Sequence, residues 1–350
     1  MRIYTFLITF GLVLFNLGWS QTLTVSSGGQ AGPTFTNITI TSNTWTLTGN
    51  ATVTAGAIQT ALSQGSLTIK GNSNTFEVNV NQSISSSTSG SALTFGQADN
   101  TSTITIGASI SNAGPLNFYG GAIALNANLS TTNSSAILVK AKSNINQASS
   151  VVVSTSGGAV SYWADSDDNS TGYVQLKSSS SISTNGGAIS LGGGSDLTTD
   201  FAFGTIAEQC SEVNYLYIAG IHMQSGSQLN SGGGHISVRG QNATNATSNM
   251  AFGVSLKDVT ILSGVGKIAI HGVATGSGTV NAQGATTWGP ITLRSANTTA
   301  DAISVIGDAS AINMGTNGVS LGINFTGLFE ATASGGGITF DGRAGSANTV

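Results

Sequence analysis

One pattern constrains this chain more than any other: two glycines, one residue, a large aliphatic, one residue, then a second large residue. It stands as Gly120-Gly121-Ala122-Ile123-Ala124-Leu125, Gly157-Gly158-Ala159-Val160-Ser161-Tyr162, Gly186-Gly187-Ala188-Ile189-Ser190-Leu191 and Gly233-Gly234-His235-Ile236-Ser237-Val238. Looser copies are Gly266-Lys267-Ile268-Ala269-Ile270, Gly289-Pro290-Ile291-Thr292-Leu293 and Gly336-Gly337-Ile338-Thr339-Phe340. Glycine tolerates positive φ without a Cβ clash, so the pair reads as a sharp corner. The alternation that follows reads as a strand with one apolar face. The aliphatics at 123, 160, 189, 236, 268 and 291 lie 37, 29, 47, 32 and 23 residues apart, irregular steps within the range of solenoid repeats.

The background between these corners has the same period. Ile38-Thr39-Ile40, Leu67-Thr68-Ile69, Ile104-Thr105-Ile106 and Ile236-Ser237-Val238 each set two β-branched or aliphatic side chains on one face and a hydroxyl on the other. The single helical signal is a short turn over Ala57 to Gln64, with Ile58 and Leu62 four apart and Gly65 as a stop. A coil of this kind cannot bury its apolar face alone; stacking completes the core. The expectation is an all-β fold, a single elongated right-handed parallel β-helix (a β-solenoid) built from irregular coils. With about 22 residues per coil, the stack would hold about 15 coils and reach about 70 Å at about 4.8 Å per coil. A string of β-sandwiches would show linkers rich in Pro or charge, and the chain has none.

Composition agrees with stacking. Gly (48), Ser (49), Thr (44) and Asn (29) make up 170 of 350 residues, and charged residues only 7%, against about 25% in an ordinary soluble domain. In a parallel stack each outward charge would meet its copy about 4.8 Å away, whereas hydroxyls and amides can form ladders. A hydrophobic content of 39% argues against disorder, and three prolines argue against collagen. Net charge is −4 with no basic run, so no nucleic-acid surface is expected. Cys210 is the single cysteine, which excludes an internal disulfide and reads as a small packing residue.

The start of the chain has the layout of a secretory signal peptide over residues 1–20: Met1-Arg2, an apolar stretch from Ile3 to Leu17, then Gly18-Trp19-Ser20. The 15-residue apolar run is shorter than the roughly 20 residues a membrane-spanning helix needs, so no membrane span is expected after cleavage. Residues 21–110 read as an entering segment with the first coils, and 111–350 as the β-helix repeat region.

Several blocks resemble a known family. Gly114-Pro115-Leu116-Asn117-Phe118-Tyr119-Gly120-Gly121-Ala122-Ile123-Ala124-Leu125-Asn126, Ile189-Ser190-Leu191-Gly192-Gly193-Gly194 with Asp196, Ser295-Ala296-Asn297-Thr298 with Asp301-Ala302-Ile303, and Ala57 to Leu62 through Gly65 to Ile69 are similar to blocks in the large secreted β-strand-repeat surface proteins of Bacteroidota. Together they cover most of residues 50 to 310. That family resembles filamentous-haemagglutinin-type adhesins in plan. The resemblance implies an exported, rod-like, surface-displayed protein engaged in cell adhesion; members of that family usually continue into further repeats and a carboxy-terminal sorting domain, so this chain is either the front portion of a longer protein or one exported by a different route.

Chemistry-bearing residues are sparse. Asp165, Asp167 and Asn169 place oxygens at alternate positions, as at the start of a calcium loop. The sixth and twelfth positions are Ser170 and Leu176 where such a loop has Gly and Glu, so a solvated turn competes with a calcium site. His222, His235 and His271 lack metal-ligand spacing and read as surface histidines. A polysaccharide lyase or hydrolase on a β-helix scaffold is the alternative function, but it needs converging carboxylates. Asp196, Asp200, Glu208, Glu212, Asp258, Asp301 and Asp308 are dispersed. Tyr162, Trp163 and Trp288 are the candidate glycan contacts, because amphipathic rings can stack on sugars. The sequence therefore points to a secreted, non-catalytic, adhesin-like or structural surface solenoid. No cofactor is called for beyond the candidate calcium, and the expected partner is a host or environmental glycan or surface polymer.

Overall fold

The alternating segments are strands, and the strands stack. A computed structural model describes residues 20–204, 208–210, 215–242, 250–275, 281–312 and 319–345, so the signal-peptide segment 1–19 lies outside the described residues. Each coil adds one strand in turn to a first sheet of twelve strands, a second of nine and a third of thirteen. Neighbours within each sheet are parallel, apart from the hairpin Ile38–Thr41/Thr44–Leu47 and the Glu208–Cys210/Tyr215–Met223 pair. The chain is a three-faced parallel β-helix.

Register follows the Gly-Gly motif. In the third sheet Val160, Ile189, Ile236, Ile268, Ile303 and Ile338 lie one above the next. Two of the aligned aliphatics belong elsewhere: Ile123 pairs with Ile104 in the first sheet, and Ile291 with Phe329 in the second. The same local pattern thus serves corners that are not equivalent. True steps between positions paired in parallel run from 19 residues (Ile110 to Leu129) to 47 (Ile189 to Ile236) along the stack, and to 55 (Gln21 to Phe76) at its start. The eleven parallel strands from Thr44–Leu47 to Ile338–Ala344 give a stack of about 50 Å, shorter than the expected length because the later coils are longer.

One hydrophobic cluster runs from Leu23 to Val305. An inward row of the third sheet passes through Trp45, Ile69, Phe95, Phe118, Val139, Tyr162, Leu191, Val238, Ile270, Val305 and Phe340. Phe95 and Phe118 stack at 6.0 Å and 15°. Burying each large side chain of this kind contributes about 1.5–3 kcal/mol, so a solenoid without disulfides can be held by such rows.

The corner before the third sheet holds a device that the motif only half reveals. A buried hydroxyl precedes each glycine pair: Thr155, Thr184, Ser231 and Ser263. Each donates to the carbonyl of the glycine three residues on, at 2.5 Å from Ser231 to Gly234 and 2.6 Å from Ser263 to Gly266. All four reach a carbonyl of the next coil as well: Thr155 to Thr184 at 3.2 Å, Thr184 to Ser231 at 3.1 Å, Ser231 to Ser263 at 3.2 Å and Ser263 to Arg294 at 3.5 Å. The two glycines have different duties. Gly186 adopts φ +118°, the turn itself, whereas Gly187 packs so closely that a Cβ would overlap the Gly158 carbonyl oxygen.

The two ends differ. At the start, strand Gln21–Gln30 inserts between Ala51–Val53 and Phe76–Val80 in the first sheet. Helix Ala55–Ser63, capped by the Thr54 hydroxyl accepting from Ala57 N, buries Ile58 and Leu62 completely over the opening of the stack. At the other end Phe325, Phe329 and Phe340 pack on one another with centroids 4.1 to 5.6 Å apart. Phe340 occupies an inward position yet is 45% exposed, because no strand covers it among the described residues. Among those residues no helix is long and apolar enough to cross a membrane.

Candidate functional site

The sequence-derived candidates separate by side of the strand. Tyr162 faces the core with 0% exposure, and its hydroxyl donates to Gln147 Oε1 at 2.8 Å. Burial pushes its phenol well above the usual range. It offers no surface to a glycan, which corrects that expectation. Trp163, the next residue, points outward and is half-buried. Lys140 Nζ sits 3.4 Å over its ring, and its indole N–H donates to Gly194 O at 2.7 Å. Burial lowers the Lys140 pKa. One face of Trp163 and its N–H are therefore already engaged. Trp288 packs edge-on against buried Phe252 at 6.0 Å.

Asp165 anchors a turn. Its side chain is buried, and Oδ1 accepts from the backbone N–H of Asn169 at 3.1 Å and of Thr171 at 3.2 Å. Oδ2 has no partner, and burial raises the pKa to about 6. Asn169 Nδ2 donates to Asp167 Oδ2 at 3.1 Å, and Asn169 Oδ1 accepts from the Thr171 hydroxyl. Left-handed φ values at Asp165, Asp168 and Ser170 complete a tight loop. These contacts describe the solvated-turn reading of the segment. Among the described residues no group of three or more His, Cys, Asp or Glu is placed to hold a metal ion.

The remaining carboxylates and histidines are structural in their contacts. Asp200 accepts from Ser195 Oγ at 2.8 Å and Asp196 N at 2.9 Å, and Asp196 accepts from Thr198; these bonds hold both pKa values down. Asp301 pairs with Lys267 at 2.7 Å, Asp308 lies 3.6 Å from Arg343, and Asp258 accepts from Ser225 Oγ. The side chains of Glu208, Cys210 and Glu212 lie outside the described residues. His222 is buried rather than superficial, at 3% exposure. His235 is exposed and accepts from Lys267 N at 2.9 Å, while His271 lies edge-on to Phe201 at 4.9 Å. Burial, then the nearby Arg239, lowers the His271 pKa.

A concave site lies where sequence reasoning placed nothing. The hairpin Ile38–Thr41/Thr44–Leu47, the loop before it and the cap helix enclose a half-open cavity of about 400 Å³. Trp45 and Leu67 form its buried wall, Phe35 and Ile40 its partly exposed apolar side, and Asn43 and Gln64 stand among its polar residues. The rings of Phe35 and Trp45 are 4.8 Å apart and tilted by 45°. No lining residue is charged. Trp45 was legible as an inward residue from the Thr-Trp-Thr-Leu alternation; that the end of its row opens into a pocket depends on the non-local meeting of hairpin and helix. No protein-family model, curated protein or solved structure matches this chain.

Proposed function

We propose that the chain is a secreted cell-surface protein that acts as a non-catalytic, adhesin-like or structural β-solenoid. The observation that carries this reading is the outer row of the third sheet. Thr68, Thr94, Asn117, Leu138, Ser161, Ser190, Ser237, Ala269, Ser304 and Thr339 lie in register over one continuous core. It is uncharged throughout, and Asn117 Nδ2 donates to Thr94 Oγ1 at 3.2 Å across two coils. Such a face suits a spacer or a contact surface exposed to solvent over its length. The carboxylates of Asp165, Asp200, Asp258 and Asp301 hold turns, a neighbouring hydroxyl or an ion pair, which supports a role without acid–base catalysis. Export rests on the tripartite start of the sequence. The resemblance to the β-strand-repeat surface proteins supports the same reading.

The test is incubation of the purified mature chain with a panel of polysaccharides. The expected result is no new reducing ends or unsaturated products. Cleavage that disappears when a single Asp or Glu is changed to its amide would overturn the proposal.

A further inference from the structure

We infer that the cavity beside the cap helix binds the end of a neutral saccharide. The inference rests on the surface-protein reading above and gives its adhesin arm a site. Trp45 is only 4% exposed, yet among the described residues its indole N–H donates to no protein atom, and the nitrogen is not sealed away with the fully buried unpaired atoms. A buried indole N–H ordinarily has an acceptor. Here the cavity is the place from which one can come.

The rest of the lining defines that acceptor. The side-chain amides of Asn43 and Gln64 make no hydrogen bond to the protein, so four N–H donors and two carbonyl acceptors stand open at the cavity. Phe35 and the 41%-exposed Ile40 add apolar surface. A pyranose meets all of these demands together: hydroxyls that donate and accept, a ring oxygen that accepts, and a C–H face that packs on an aromatic ring. An acidic sugar or a phosphate would bring a charge that no lining residue neutralises. A purely apolar ligand would leave the indole N–H and both amides unpaired. The cavity, about 400 Å³, falls at the small end of ligand pockets, which suits the terminal unit of a glycan. Its position at the closed end of the stack leaves the sheet faces free.

The experiment is a titration of the ¹⁵N-labelled mature chain with neutral sugars (galactose, mannose, N-acetylglucosamine and their short oligomers) and with acidic ones (oligogalacturonate, sialyllactose). The Trp45 indole resonance is assigned by its loss in Trp45→Phe. At least one neutral sugar should shift that resonance saturably. Phe35→Ala and the double variant Asn43→Ala/Gln64→Ala, all at partly or fully exposed positions, should weaken binding at least tenfold, and Trp163→Ala should leave it unchanged. No shift with any neutral sugar, a preference for acidic sugars, or binding indifferent to the Phe35 and Asn43/Gln64 changes would overturn the inference. A silent cavity would leave the non-catalytic solenoid standing, since its own test is the cleavage assay.

Discussion

Gly187 lies directly over Gly158, so close that a Cβ on Gly187 would overlap the Gly158 carbonyl oxygen. The relationship repeats up the stack, with Gly234 over Gly187 and Gly266 over Gly234. In the pairs 157–158, 186–187 and 233–234 the second glycine is there for this contact, and the first for its backbone angle.

That division of labour predicts unequal substitutions. Gly187→Ala must push two coils apart and should destabilise by about 3 kcal/mol or more. Gly186→Ala meets no atom within 4 Å and carries only the strain of φ +118°, on the order of 1–2 kcal/mol. Urea denaturation of the two variants should rank them in that order.

The corner hydroxyls give a second contrast. Thr184→Val keeps the shape but removes a donor serving the carbonyls of Gly187 and Ser231, and should destabilise by about 1–3 kcal/mol. Ser180 and Ser227 are as deeply buried, with hydroxyls that have no partner. Ser180→Ala and Ser227→Ala should therefore be neutral or stabilising in the same denaturation experiment.

These corners show how far the sequence could be read. The Gly-Gly-x-Ile alternation is local, and it placed Val160, Ile189, Ile236, Ile268 and Ile338 in strands with the correct apolar side. It also contained the answer for Tyr162: counting two from Val160 puts it inward and Trp163 outward, which conflicts with treating both as glycan contacts. What local pattern does not carry is which of three faces a corner leads to, hence the misplacement of Ile123 and Ile291. Nor does it show that Gln21–Gln30 inserts between strands formed later in the chain, or that Phe35, Asn43, Trp45 and Gln64 meet at a cavity. Those are long-range pairings, set by which coil lands on which.

Asp165 predicts a pH dependence. Its carboxyl ionises near 3.8 when unconstrained and near 6 in the fold, where burial is the dominant cause. Below about pH 3.8 the group is neutral in both states and imposes no penalty; the unfolded chain releases the proton first, so this contribution to stability declines as pH rises through 6. Asp165→Asn keeps an oxygen for the Asn169 and Thr171 amides without the charge. Melting temperatures measured from pH 4 to 7 should show little difference at pH 4 and an advantage for the variant that grows up to about pH 6 and then levels off; parallel curves would contradict the assignment.

The central claim is the continuous in-register stack, and electron–electron distances along one face test it most directly. With Cys210 replaced by Ser, spin-label pairs Thr94–Ser190, Thr94–Ser237 and Thr94–Ala269 span four, five and six steps of the outer row. Their backbone separations should be about 19, 24 and 29 Å, rising by one strand spacing per coil although the loop between Ser190 and Ser237 makes the sequence separation rise unevenly. Distances that follow sequence separation, or that fail to increase from pair to pair, would contradict the solenoid.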